Sequence, residues 1–277
     1  GNPSYLAIYL VFSLFFIVWL LQEERSWSLK VPWLLIGGFE LFMIYQTRTR
    51  ASFLAFAIGL VIATCLLIWH VHRHHQGKLS KNLLNLCYLI TLAGILLITL
   101  GTVFTVLNIK GDAFTAMQPR FWTWGTALAG FIEKPILGWG VENFPYVFDK
   151  YYNANHFGIE SWFDRPHNIF LGYLIDGGIA LLLAYAAMFF FFYKQLWQLP
   201  RTWFWPPLFS VPIIYLVNGL TLFEVLPIYL NLFFFFAFFV NYSNNFHTPE
   251  TPKATQKNIS LRGWVAIYTV TLAVAAS

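Results

Sequence analysis

Two polar stretches stand directly in front of long apolar runs, where side chains able to do chemistry are unusual. Arg165, His167 and Asn168 lie at the start of the apolar run in WFDRPHNIFLGYLIDGGIALLLAY. Arg48 and Arg50 form the turn QTRTR before another such run. Residues at these boundaries often only cap a helix or snorkel to the lipid headgroups. The alternative is a reaction site at the membrane surface.

A third basic position, Arg120, opens the segment RFWTWGTALAGFIEKPILGWG. Arginine presents a planar fork of donors that binds phosphate oxygens in pairs, and it stabilises a leaving pyrophosphate without a metal. Histidine can orient or deprotonate a hydroxyl. Together, Arg50, Arg120 and His167 suit glycosyl transfer from a lipid-linked pyrophosphate. We take Arg48, Arg165, Asn168 and Trp124 as candidate substrate-binding residues.

The composition is that of a membrane protein. Of 277 residues, 58% are hydrophobic and only 10% are charged, whereas about a quarter of the residues of a soluble domain are charged. Such a chain cannot cover a water-facing surface, so we predict an all-α polytopic integral membrane protein. The net charge of +5 suits anionic headgroups. No basic cluster accompanies a soluble module, which argues against nucleic acid as a partner.

Eight apolar runs predict about seven or eight transmembrane helices in a single membrane domain, residues 1–277. The second and seventh runs are short for a membrane span. The chain begins at Gly1 and stops inside an apolar run, so we expect a fragment truncated at both ends. The runs are Tyr5–Leu21, Pro32–Tyr45, Ala51–His70, Leu83–Leu107, Ile169–Tyr193, Trp205–Leu222, Ile228–Val240 and Trp264 onward.

Basic residues follow the third, fifth and seventh runs. Because positive charge is enriched on the cytoplasmic side, these loops are predicted to be cytoplasmic, including the linker 241–262. The turn at 46–50 and the long loop 108–166 then lie outside. The two arginines of the short turn break the charge rule, and they either bind an external anion or snorkel to the headgroups.

The long loop is predicted to carry a helix that lies in the membrane interface. Pro119 suits a helix start and Pro135 a helix end. Between them, Phe121, Trp124 and Leu128 recur at helical spacing and form one apolar face.

Motifs for metals and cofactors are missing from the sequence. Histidines at 70, 72, 74 and 75 close the third run, where they are more typical of a helix end than of a metal site. We therefore expect neither a metal nor a cofactor. Glu40 is costly inside the second run, and Glu224 lies in a short external turn, where it either lines a cavity or is solvated. Gly177 and Gly178 are expected to let helices pack closely.

Three segments resemble the O-antigen ligase and polymerase superfamily, which includes bacterial protein O-oligosaccharyltransferases. That superfamily has a T-x-S-R-like turn, a loop with R-x-x-x-W-x-x-A and P-[IL]-x-G-x-G, and an H-N-x-[FL]-L helix followed by a glycine pair. The order matches here, over Thr47 to roughly Phe192. The segments are TRTRASFLAF, RFWTWGTALAGFIEKPILGWGVENF and RPHNIFLGYLIDGGIALLLAY.

The resemblance implies a lipid-carrier-type (GT-C-like), metal-independent glycosyltransferase of the bacterial cytoplasmic (inner) membrane, with its site facing the periplasm or cell exterior. The implied donor is a glycan on undecaprenyl pyrophosphate, transferred with inversion to a hydroxyl of a glycolipid, glycan or protein. Arg50, or alternatively Arg48, and Arg120 would hold the pyrophosphate, and His167 would be the base. The motif tryptophan is either Trp122 or Trp124.

Two functions of other classes compete with this interpretation. A transporter or flippase for a lipid-linked glycan predicts charges buried in mid-span and pseudo-symmetric halves. A scaffold that binds a partner through the long loop predicts that Arg50, Arg120 and His167 lie far apart. The clustering of unusual charges beside one large loop favours a transferase, acting as ligase, polymerase or protein O-oligosaccharyltransferase.

Overall fold

The computed structural model describes residues 3–74, 81–107 and 112–247, and these residues form helices and no strand. The fold is therefore the predicted all-α one. The eighth apolar run lies outside the described residues. The helices are α1 (Pro3–Glu23), α2 (Trp27–Gln46), α3 (Arg50–His74), α4 (Lys81–Leu107), α5 (Asp112–Glu133), α6 (Phe144–Lys150), α7 (Ile169–Gln198), α8 (Trp205–Gly219) and α9 (Leu226–His247), with a 3-10 turn at Ala154–His156.

Five of these helices, α1, α2, α3, α7 and α9, are long and apolar enough to cross a membrane. Helix α4 contains a shorter apolar stretch, and α8 has 15 residues. Helices suit these sequences because a lipid-buried segment must satisfy its backbone polar groups internally. The chain is a multi-pass membrane protein.

Two apolar segments are longer than the sequence predicts. Helix α2 begins at Trp27 and has 20 residues, so Pro32 lies inside it. Helix α9 continues to His247, so the first residues of the predicted linker are helical. In both cases polar residues extend the helix beyond the apolar run.

The chain divides into two compact units, residues 1–224 and 225–277. Within the first unit, α1 packs against α2, α3 and α8, and α3 also packs against α4. Ten of the 15 residues of α8 are buried, whereas only Gly37, Glu40 and Ile44 are buried in α2. Helix α8 is therefore an inner helix and α2 an outer one. The second unit contains α9.

Helix α5 starts earlier than predicted, at Asp112, so Pro119 lies inside it rather than at its start. Its end at Glu133 agrees with the expected stop before Pro135. The predicted apolar face is largely exposed, with Phe121 and Leu128 nearly half accessible. The opposite face of α5 packs against residues 134–168, which include α6. We call α5 together with residues 134–168 the loop layer. Its core contains Ala127, Phe144, Val147, Phe148, Phe163 and, from α7, Ile175.

Helix α7 is sharply bent at Gly177 and Gly178, which have non-helical backbone angles. The rings of Tyr173 and Tyr185 lie 4.3 Å apart between centroids, although a straight helix would separate their Cα atoms by about 18 Å. The first arm, residues 169–176, therefore bends over the second arm, residues 179–198. The second arm alone is long enough to cross a bilayer, since roughly 20 residues suffice.

The bend is stabilised by the segment 135–140. Trp139 N–H donates to Ile175 O (2.6 Å) and Ile179 N–H donates to Pro135 O (2.8 Å). Two longer bonds, from Gly140 N–H to Asp176 O and from Ala180 N–H to Ile136 O, flank them. The backbone groups that the bend removes from the helix are thus paired with the loop layer.

Glycine is required on both sides of this contact. Gly178 has φ +63° and Gly138 has φ +67°, angles that other residues rarely adopt. A Cβ at Gly178 would lie 2.3 Å from Ile136 O, and one at Gly138 would lie 2.4 Å from Ile175 O. The expectation that Gly177 and Gly178 serve helix packing is therefore wrong, because they break a helix and admit a loop.

Candidate active site

His167 lies in the loop just before α7 and is half-buried. Its Nδ1 lies 3.0 Å from Arg165 O. Because a carbonyl only accepts, Nδ1 carries the proton in this bond, and Nε2 keeps the lone pair of a base. The imidazole is held edgewise between Phe163 and Phe223, with centroid distances of 5.4 and 5.0 Å. The ring is therefore oriented, and its basic nitrogen accepts no hydrogen bond from a described residue.

The two neighbours of His167 that we took as candidate substrate-binding residues have structural partners. Asn168 Oδ1 accepts from the N–H groups of Phe170 (3.0 Å) and Leu171 (3.2 Å), which makes Asn168 the N-cap of α7. Arg165 pairs with Glu142 at 2.5 Å and also lies over the ring of Phe223. Both residues thus fix the loop that carries His167.

Trp124 connects α5 to the same loop. Its indole N–H donates to Pro166 O at 2.9 Å. Trp122 instead packs edgewise on the buried His156. Arg120 lies one helical turn before Trp124, and residues four apart share a helix face. The half-buried Arg120 makes one weak contact, 3.9 Å from Nη1 to Met117 Sδ.

Arg48 and Arg50, the two arginines of the turn before α3, are exposed. Arg50 is the first residue of α3, whereas Arg48 precedes the helix with φ +49°. Together with Arg120, they form no ion pair with any described residue. These guanidinium groups are available to an anion, and Arg50 adds its charge to that of a helix N-terminus.

Packing brings the start of α3 and the start of α7 to the same end of the first unit. Ser52, in the first turn of α3, hydrogen-bonds Asn218 near the end of α8 (3.2 Å from Nδ2 to Oγ). The adjacent Gly219 packs so closely on Ile169 that a Cβ would lie 2.7 Å from Ile169 Cγ2. Ile169 is two residues from His167. We call this end of the unit the site end.

Glu224 is a buried carboxyl beside Phe223 at the site end. The Tyr215 hydroxyl donates to Oε1, and Oε2 has no hydrogen-bond partner among the described residues. Burial raises the pKa of Glu224 to about 7, well above the usual value of a carboxyl group. The sequence left Glu224 either solvated or lining a cavity. The structure shows that Glu224 is buried rather than solvated. The sequence feature that could have indicated this burial is that Glu224 is the single acidic residue of an apolar turn.

A family model described as O-antigen ligase matches residues 34–186, more than half of the chain. This chain belongs to the O-antigen ligase family. Searches of curated proteins and of solved structures each gave no significant match.

Membership of the O-antigen ligase family makes the chain a glycosyltransferase-like enzyme whose partners are a lipid-linked glycan and an acceptor. The matched region extends from α2 into the second arm of α7. It therefore includes Arg50, Arg120, His167 and the bend of α7, whereas Glu224 lies beyond it.

Proposed function

We propose that the protein transfers a glycan from undecaprenyl pyrophosphate to an acceptor hydroxyl at the outer face of the bacterial cytoplasmic membrane. The observation that carries the proposal is the orientation of His167. Its Nδ1–H is committed to Arg165 O, and its Nε2 accepts no hydrogen bond from a described residue. Arg50 and Arg120, neither of which forms an ion pair with a described residue, are the proposed anion-binding residues.

In the proposed reaction, the acceptor hydroxyl gives its proton to His167 Nε2 while its oxygen bonds to the anomeric carbon of the donor. The bond between that carbon and the pyrophosphate oxygen breaks, and its electron pair leaves with the pyrophosphate. Arg50 and Arg120 bind the leaving group, whose charge grows in the transition state. The proton on His167 then passes to water or to the released pyrophosphate. A single displacement inverts the anomeric centre.

The loop layer supports a site at the headgroup level. Residues 135 and 136 hydrogen-bond the first residues of the second arm of α7, where the membrane-crossing segment begins. The apolar side chains of Ile132, Ile136 and Leu137 on this edge are more than 60% exposed. A lipid surface would cover them, and the pyrophosphate of a membrane-bound donor would lie at the same level.

The test uses the purified protein in liposomes that contain a lipid-linked oligosaccharide as the donor, in the presence of EDTA. Three acceptors are tried separately: a lipid A core, a glycan and a protein with free hydroxyl groups. Release of undecaprenyl pyrophosphate is followed for wild type, Arg120→Ala and His167→Ala. Matched controls are Arg25→Ala and His72→Ala, because both residues are exposed at the opposite end of the first unit.

We expect acceptor-dependent release in wild type and both controls, and at least a hundredfold loss in the two site variants. The acceptor that supports release distinguishes ligase, polymerase and protein O-oligosaccharyltransferase activity. Equal rates in wild type and the site variants would refute the assigned residues. Movement of the lipid across the bilayer without release would establish the transporter instead.

A further inference from the structure

His167 has an unusual backbone. Its φ is +50°, in the left-handed region that residues with a Cβ rarely adopt. Such a conformation persists only where the surrounding structure holds it. On the C-terminal side, the Asn168 cap fixes the start of α7. A second restraint is needed on the N-terminal side.

Trp124 supplies that restraint. Its indole N–H donates to Pro166 O at 2.9 Å, across 42 residues of sequence. The Pro166 oxygen belongs to the peptide plane that also contains the His167 nitrogen. Holding this oxygen therefore fixes the peptide plane on the N-terminal side of the His167 N–Cα bond, the bond about which φ is measured.

The helix that carries Trp124 is itself firmly placed. Thr126 Oγ1 donates to Tyr151 O (3.2 Å), and Gly130 faces Val147 so closely that a Cβ would lie 2.3 Å from Val147 Cγ1. Arg120 precedes Trp124 by one turn of the same helix. A single rigid element thus carries an arginine for the leaving group and the donor that holds the histidine loop.

We propose that Trp124 is a positioning residue that holds His167 in its left-handed conformation and sets its spacing from Arg120. The proposal rests on the proposed function of His167 as the base. This role differs from the substrate binding expected from the sequence, and it accounts for the one polar atom of the side chain, which donates to Pro166 O. Catalysis depends steeply on such placement, and a shift of about 1 Å can cost a hundredfold in rate.

Trp124→Phe is the decisive change, since it removes the N–H and keeps a ring to pack on Phe121, whose centroid lies 5.3 Å from that of Trp124. Trp122→Phe is the matched control, because Trp122 packs on His156 and its indole makes no hydrogen bond in the described part of the chain. Benzothienylalanine at position 124, which replaces N–H by sulfur in a ring of nearly equal size, serves if Trp124→Phe does not fold.

The assay measures kcat and donor KM for undecaprenyl pyrophosphate release, together with the melting temperature. We expect the kcat of Trp124→Phe to be at least tenfold lower than that of Trp122→Phe. The KM and the melting temperature of the two variants should be close to each other. An unchanged kcat, or a raised KM with kcat unchanged, would overturn the positioning role. His167→Ala is measured beside them. Wild-type activity in His167→Ala refutes the proposed function, whereas an inactive His167→Ala with an active Trp124→Phe refutes only the role of Trp124.

Discussion

Replacing Gly178 by alanine tests whether the contact between the loop layer and the α7 bend holds the site together. The residue has φ +63° and ψ −159°, a combination that costs other residues on the order of 1–3 kcal/mol. Its new Cβ would lie 2.3 Å from Ile136 O, so the segment 135–140 must move away. Losing two to four of its backbone hydrogen bonds adds roughly 1 kcal/mol each. We expect the contact to weaken by roughly 3–7 kcal/mol in total.

Gly172→Ala is the matched control for Gly178→Ala. Gly172 lies in the first arm of the same helix, and a Cβ there meets no atom within 4 Å. Because alanine is the better helix former by roughly 1 kcal/mol, this change should be neutral or slightly stabilising.

The assay for both variants is limited proteolysis by proteinase K in nanodiscs, with cuts located by mass spectrometry. A loss of about 3 kcal/mol raises the population of the opened segment by roughly a hundredfold. Cleavage within residues 134–143 should therefore accelerate strongly in Gly178→Ala and not in Gly172→Ala. Equal cleavage rates in the two variants would show that the contact does not depend on the glycine, and the reasoning would be wrong.

Three other changes give distinct outcomes. Because burial raises the pKa of Glu224 from 4.5 to about 7, its ionisation should progressively destabilise the folded state between those pH values, by roughly 3 kcal/mol above pH 7. Glu224→Gln should remove this pH-dependent loss of stability. The free energy of unfolding is measured at pH 5 and pH 8, and an equal change between these pH values in wild type and variant would contradict the prediction. Burial lowers the pKa of His156, so the stability of the folded state should fall as the pH drops below about 6.5. Melting temperatures of wild type and His156→Phe across pH 5–8 check this. The same slope of melting temperature against pH in both proteins would contradict it. Arg50→Ala should reduce pyrophosphate release more than Arg48→Ala, because only Arg50 lies at the helix N-terminus, and the reverse order would assign the anion to Arg48.

The bilayer explains why much of the architecture could be predicted from the sequence. A segment such as Tyr5–Leu21 has one stable form in lipid, a helix with internally paired backbone groups. Local signals were also sufficient for the start of α7, because Asn168 is a strong N-cap and the apolar run follows it. Pro119 misled the prediction of the start of α5, because its effect on a helix depends on whether neighbouring turns tolerate the lost hydrogen bond.

The candidate site was predicted in part. Arg50, Arg120 and His167 were singled out by residue type and by position before apolar runs, and their roles stay predictions. The partner of each neighbour was not visible in the sequence. Substrate binding by Trp124 stays a prediction, and the oxygen that accepts its N–H belongs to Pro166, 42 residues away in the sequence.

The sequence by itself determined that this chain is helical, lies in a membrane and carries arginine and histidine side chains next to apolar runs. These properties follow from composition and from signals within a few residues. Only the tertiary structure decided that Gly177 and Gly178 bend α7, that segment 135–140 pairs with the exposed backbone, and that Glu224 is buried. Each depends on contacts between residues far apart in the chain, and the backbone hydrogen bonds at the bend carry no side-chain signature that a sequence could display.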